Sequence, residues 1–167
     1  MRFLVLPLAL ACGFQAPRIW ATLWQTPAPN FDRAFLSLMQ EHYEQTQNMA
    51  ERSLRQIGDP QLKNWTQILI KDHQAVLREI QTELSLLGGT DVRAADVMKG
   101  EMASDWRGKL SQTYPGLMVT NGFSAIGMAQ QALERSKNPQ VLGLARRIVA
   151  AESDRVEQLQ IHLMGGR

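Results

Sequence analysis

A twelve-residue stretch, MQEHYEQTQNMA at 39–50, returns 79 positions later as MVTNGFSAIGMA at 118–129. The offset then holds without a gap. Leu54 pairs with Leu133, Pro60 with Pro139, Gln61 with Gln140, Leu69 with Ile148, Ile80 with Leu159 and Leu84 with Leu163. Apolar residues at helical spacing and a Pro turn recur in the same order, so one helical hairpin is written twice. Two hairpins of long amphipathic helices bury their apolar faces most simply against each other, as a four-helix bundle.

The first helix is expected over 31–57, with Asn30 as its cap. Its apolar stripe is Leu36, Met39, Tyr43, Thr46, Ala50, Leu54 and Ile57, flanked by Phe35, His42 and Met49. Gly58 is expected to close it in the left-handed conformation, and Pro60 to open the next helix. That second helix, over 60–87, carries Leu62, Trp65, Leu69, His73, Val76, Ile80, Leu84 and Leu87. His73 stands where the period asks for an apolar side chain. Gly88-Gly89 stops the helix.

Residues 88–116 connect the repeats. Thr90 is placed to cap a short helix with the stripe Val92, Ala95, Met98, Met102, Trp106 and Leu110, and Tyr114-Pro115-Gly116 reads as a break. The third helix is expected over 117–136. It keeps Gly122 and Gly127 inside, each costing about 1 kcal/mol relative to Ala. Such glycines admit a close neighbour, and Gly122 maps onto the bulky Tyr43. After Lys137-Asn138-Pro139 the fourth helix runs over 139–164, with Leu142, Ala145, Ile148, Glu152, Val156, Leu159 and Leu163. Glu152 interrupts its stripe as His73 interrupts the second. No segment alternates with period two for long enough to make a strand, so the fold class is all-α.

The start, MRFLVLPLALACGF, is too short to cross a bilayer and reads as a secretory leader. A signal peptide over 1–21 leaves 22–167 as one helical-bundle domain, beginning with an extended lead-in at 22–30. Cleavage after Ala16 is the other option. A looser reading takes Ala9-Leu10-Ala11-Cys12 as a lipoprotein signal. Removal through Ala21 takes away Arg2 and Arg18, which balances the charge at 16 basic and 16 acidic residues. A near-neutral chain carries no nucleic-acid footprint. Cys12 is the only cysteine, so a disulfide framework and a thiolate metal site are excluded. A secreted or periplasmic protein held together by packing is the expectation.

A hairpin turning near 58–59 sets residue i of the first helix opposite residue 117 − i of the second, so His42 falls within a turn of His73. The same construction sets Asn121 within a turn of Glu152. The repeat offset maps His42 onto Asn121 and His73 onto Glu152. A mid-bundle layer of imidazole, carboxylate and the nearby thioethers of Met39 and Met49 has the donor types of a metal site, and thioethers select soft ions such as Cu(I). Glu-x-x-His, which carboxylate-bridged di-iron bundles use in pairs, is absent.

The two anchor segments resemble the family called domain of unknown function 305, which carries M-x-x-H-H-x-x-A-x-x-M-A on one helix and A-x-x-I-x-x-x-Q-x-x-E-I-x-x-M on the next. Met39, His42, Met49 and Ala50 match in the first repeat, and Met118, Ala125, Met128 and Ala129 in the second. The family's His pair is His42-Tyr43 and then Asn121-Gly122, its Gln is His73 and then Glu152, and its Glu is Val76 and then Arg155. The resemblance covers both repeats and implies a ferritin-like fold, export, and binding of copper or another metal in the periplasm. Lys71-Asp72-His73 and Asn138-Pro139-Gln140-Val141 also resemble domain of unknown function 4142, of the same architecture.

Two functions follow from these residues. One is a metal-binding protein, copper first, with His42 and His73 as core ligands and Met39, Met49 and Glu152 as additions. The other is a non-catalytic structural or interaction module whose family metal site has been lost. No nucleophile arrangement or phosphate loop is present, so an enzyme is not expected. Each candidate also has a purely structural role: inward histidines as hydrogen-bonded core residues, Glu152 as a carboxylate at the stripe edge in water or paired with a neighbouring Arg, and methionines as packing.

Overall fold

The computed structural model describes residues 18–88 and 110–165. They are helical throughout, apart from turns, and hold no strand. Residues 1–17, with Cys12 and most of the expected leader among them, lie outside the described residues, as do most of the connection with its proposed stripe and the two terminal residues. Among the described residues five helices follow one another: α1 (Arg18–Gln25), α2 (Phe31–Leu54), α3 (Pro60–Leu87), α4 (Leu110–Arg135) and α5 (Pro139–Gly165), with a 3-10 turn at Ala28–Asn30 before α2. None of the described helices is long and apolar enough to cross a membrane.

The expected stripes are buried over most of their length, and the last members on α3 and α5, Leu87 and Leu163, are exposed. Leu36, Met39, Tyr43, Thr46 and Ala50 are buried on α2, Leu62, Leu69, His73 and Ile80 on α3, and Ala145, Ile148, Glu152, Val156 and Leu159 on α5. α2 packs on α3 and α4 on α5 as hairpins, and α2 packs on α4 to join them. α3 and α5 face each other through polar bridges. Glu79 pairs with Arg147, His73 with Glu152, and Asp72 with Arg155. At the far end His162 lies 3.7 Å from Asp59 and edge-on to the Trp65 ring. The two helices are therefore antiparallel, residue i facing roughly residue 226 − i.

Several local expectations are corrected. The 22–30 lead-in is not extended: residues 18–25 form α1, whose Ile19 and Leu23 are buried in the core. A leader ending at Ala21 would cut that helix in its middle. Asn30 makes no side-chain cap bond, because the 3-10 turn already carries the chain into α2 and ties the Asn30 amide to the Pro27 carbonyl. α2 ends at Leu54, and Gly58 is not left-handed, since the only positive-φ glycine among the described residues is Gly88. The Gln56 and Ile57 amides both return to the Ser53 carbonyl instead, and buried Ile57 plugs the turn. Asp59 then caps α3 by accepting from the Leu62 amide at 2.9 Å. Tyr114-Pro115-Gly116 is no break: it lies inside α4, where Pro115 falls near the helix start and the neighbouring Tyr114 ring is buried in the core.

A candidate polar site between the two hairpins

Three donors converge on one oxygen of Glu152. Arg155 Nη1 lies 2.6 Å from Oε1, the Tyr43 hydroxyl 3.1 Å and His73 Nε2 3.3 Å. Glu152, His73 and Tyr43 are each under 5 % exposed. Each comes from the apolar stripe of its helix, so folding the bundle drives them inward together. Arg155 reaches the same point because residues three apart share a helix face. Its Nη2 extends outward to Asp72 Oδ2 at 3.3 Å.

This layer divides the interior. On one side lie Phe31, Phe35, Leu36, Met39, Ile80, Met128 and Ile148. On the other lie Met49, Ile57, Leu62, Leu69, Tyr114, Met118 and Leu159. Positions related by the 79-residue offset meet at the boundary. His73 bonds Glu152, and the His42 imidazole is turned toward the backbone of Asn121. The two hairpins therefore face each other here through equivalent positions. Gly122, the equivalent of Tyr43, makes room there. A Cβ on it would stand 2.5 Å from Val156 Cγ2 and 3.6 Å from Glu152 Oε2.

Burial alone would raise the Glu152 carboxyl. The His73 hydrogen bond and the Arg155 charge outweigh it and bring the group down to about 2. Burial also lowers His73, despite the neighbouring carboxylate. It brings His42 down to about 4, with Glu152 and the Asn121 backbone opposing and His73 adding to the fall. Tyr43 is pushed well above its ordinary value, by burial first and then by the Glu152 charge. At neutral pH the layer thus holds one carboxylate, one guanidinium and neutral rings. A neutral His73 that donates from Nε2 to Glu152 carries a lone pair on Nδ1, and that atom is buried without a hydrogen-bond partner.

The metal candidates are brought together only in part. His73 meets Glu152. His42 is buried nearby, and the Tyr43 ring packs against both imidazoles, with centroids 5.9 Å from His42 and 4.2 Å from His73. Met39 and Met49 lie in different apolar clusters on opposite sides of the layer. Ten residues of helix separate them by about 15 Å, too far to share one ion. Among the described residues no three of His, Cys, Asp and Glu are grouped to hold a metal ion. Of the candidate ligand atoms, His73 Nδ1 has no hydrogen-bond partner, whereas Glu152 Oε1 is already held by a guanidinium.

Sequence reasoning missed Tyr43, and it reached Arg155 only as an unnamed neighbouring Arg that Glu152 could pair with. Arg155 carried a usable signal, its spacing of three from the one acidic residue on the α5 stripe. Tyr43 carried none beyond its place among apolar residues. Beside the layer a groove of about 430 Å³ opens between α3 and α5, lined by Leu62, Trp65, Leu69, Tyr114, Met118 and Arg155. No protein-family model matches the chain, and neither a curated protein nor a solved structure matches it.

Proposed function

We propose that this chain is an exported, ferritin-like four-helix bundle of two repeated hairpins, related to the domain of unknown function 305 family. In this reading it serves as a non-catalytic structural or interaction module, with a buried ion pair where the family carries a metal site. The observation that carries it is the convergence of Arg155, Tyr43 and His73 on Glu152 Oε1. A guanidinium supplies in the fold the positive charge that a metal ion would otherwise bring. General acid–base work needs a group that titrates near the working pH, whereas Glu152 lies at about 2 and His42 at about 4. Metal analysis of the protein from its native compartment tests the reading. A substoichiometric metal content and an unfolding midpoint unmoved by a copper chelator support it, and a stoichiometric ion sinks it.

Copper binding is the second reading, favoured by the unpartnered Nδ1 of His73. It predicts Cu(I) or Cu(II) binding that the His42→Ala/His73→Ala variant loses. Binding that is absent, or unchanged in that variant, removes it.

A further inference from the structure

We infer that Arg18–Gln25 is a retained part of the working protein, and that a leader, where one is removed, is cut on the N-terminal side of Arg18. α1 is built into the bundle by its side chains and by its backbone. Ile19 and Leu23, one helical turn apart, are 1 % and 0 % exposed in the same cluster as Phe31, Met128 and Ala132. Between them Trp20 lies flat on α4. Its Nε1 donates to the Ser124 carbonyl at 3.1 Å, and its ring fills the space over Gly127, where a Cβ would collide with the indole. Gln131 Nε2 in turn donates to the Trp20 carbonyl at 3.2 Å.

The C-terminal end of α1 is held equally closely. Arg135 donates from Nη1 to the Leu23 carbonyl at 2.6 Å and the Trp24 carbonyl at 3.0 Å, and from Nη2 to the Thr26 carbonyl. A cation on the free carbonyls of a helix end satisfies their hydrogen bonding and its dipole together. The same guanidinium lies 4.3 Å from the centre of the Phe31 ring, which ties α1 to the start of α2.

Hydrolysis of the Ala21–Thr22 bond would release Ile19 and Trp20 with the leader. Gly127 would then face an empty slot, and the bonds of Trp20 to the Ser124 carbonyl and the Gln131 amide would be lost. A helix of eight residues has no stability of its own, so the remaining four could not hold Leu23 in place. A segment discarded after export has no need of a matched glycine, a matched arginine and two buried apolar anchors.

The test is the intact mass of the folded protein recovered after expression of the full chain in an exporting host. A species beginning at or before Arg18 is the expected result. One beginning at Thr22 or later overturns the inference while leaving the export reading standing. An uncut chain retained inside the cell upholds the inference and counts against export. A second measurement is independent of processing. Trp20→Ala in the full chain should lower the melting temperature by about 10 °C, and an unchanged value would show α1 to be dispensable.

Discussion

His73 and Glu152 hold the same place in the two repeats and meet side by side, Nε2 3.3 Å from Oε1. Identical side chains at such a self-facing position would be a poor choice. Two glutamates would repel, and two neutral imidazoles would leave Arg155 with the exposed Asp72 as its one counter-charge. Divergence of the repeats at this one position turns a symmetric contact into a charge-compensated one.

Removing the carboxylate should therefore cost more than a typical surface change. Glu152→Ala leaves the Arg155 guanidinium, 14 % exposed, with Asp72 as its remaining charged partner. Breaking a buried pair from one side costs about 3–5 kcal/mol, and Asp72 places this case near the lower limit. Urea unfolding at neutral pH should show it. The paired variant Glu152→Leu/Arg155→Leu should recover most of the loss, because no charge is then left unpaired. Equal destabilisation by the single and the paired variants would mean that the charge is not what matters.

The buried histidines make stability depend on pH. His42 falls from 6.5 to about 4 on folding. Between those values the unfolded chain takes up a proton that the folded chain refuses, so stability rises with pH across this window. It is lost as pH drops from 6.5 toward 4, by about 3 kcal/mol. His73 acts in the same direction. Glu152, lowered from 4.5 to about 2, extends the loss below pH 4.5, since the unfolded carboxyl protonates first. A melting series from pH 7 to pH 3 should fall throughout. His42→Gln should flatten its upper part and leave the lower part in place. A flat wild-type profile between pH 6.5 and 4 would contradict the burial of neutral His42.

Arg135 offers a test of how α1 is anchored. Arg135→Gln keeps a donor but loses the charge and the fork that spans the Leu23, Trp24 and Thr26 carbonyls. Hydrogen bonds from a charged group are worth about 1.5–3 kcal/mol each, and partial exposure of this site discounts that. Native-state hydrogen exchange should speed up for the α1 amides by at least about tenfold, with the α4–α5 hairpin little changed. Uniform acceleration through the chain would mean that α1 does not open as a separate unit.

How far the sequence foretold this structure depends on the kind of information each element uses. The hairpins and their buried faces were legible because a period of 3.6 is written locally and here is written twice. His73 and Glu152 were legible as polar breaks in apolar stripes. Tyr43 was not, because a tyrosine in a stripe looks like packing until its hydroxyl is given a partner on another helix. α1 was hidden for a similar reason. Its eight residues owe their helical state to Gly127 and Arg135, which lie more than a hundred positions away. Pro115 misled because proline is an ordinary helix stop, yet here it lies inside α4 beside the buried Tyr114.

Gly122 is where the asymmetry of the repeats can be measured directly. In an exposed helix Gly→Ala stabilises by about 1 kcal/mol. Here the added methyl would stand 2.5 Å from Val156 Cγ2, with the Glu152 carboxylate as its next neighbour. Relief requires α4 and α5 to separate or Val156 to turn, and overpacking of this kind costs about 1–3 kcal/mol. Gly122→Ala should therefore destabilise despite its better helix propensity. Val156→Ala removes the clashing carbon, so in that background Gly122→Ala should become neutral or stabilising, with a coupling between the sites of about 1 kcal/mol or more. Guanidinium unfolding of the four proteins in the cycle gives the coupling. Additive effects, or stabilisation by Gly122→Ala alone, would show that α4 and α5 do not approach here as closely as the spacing between Gly122 and Val156 implies.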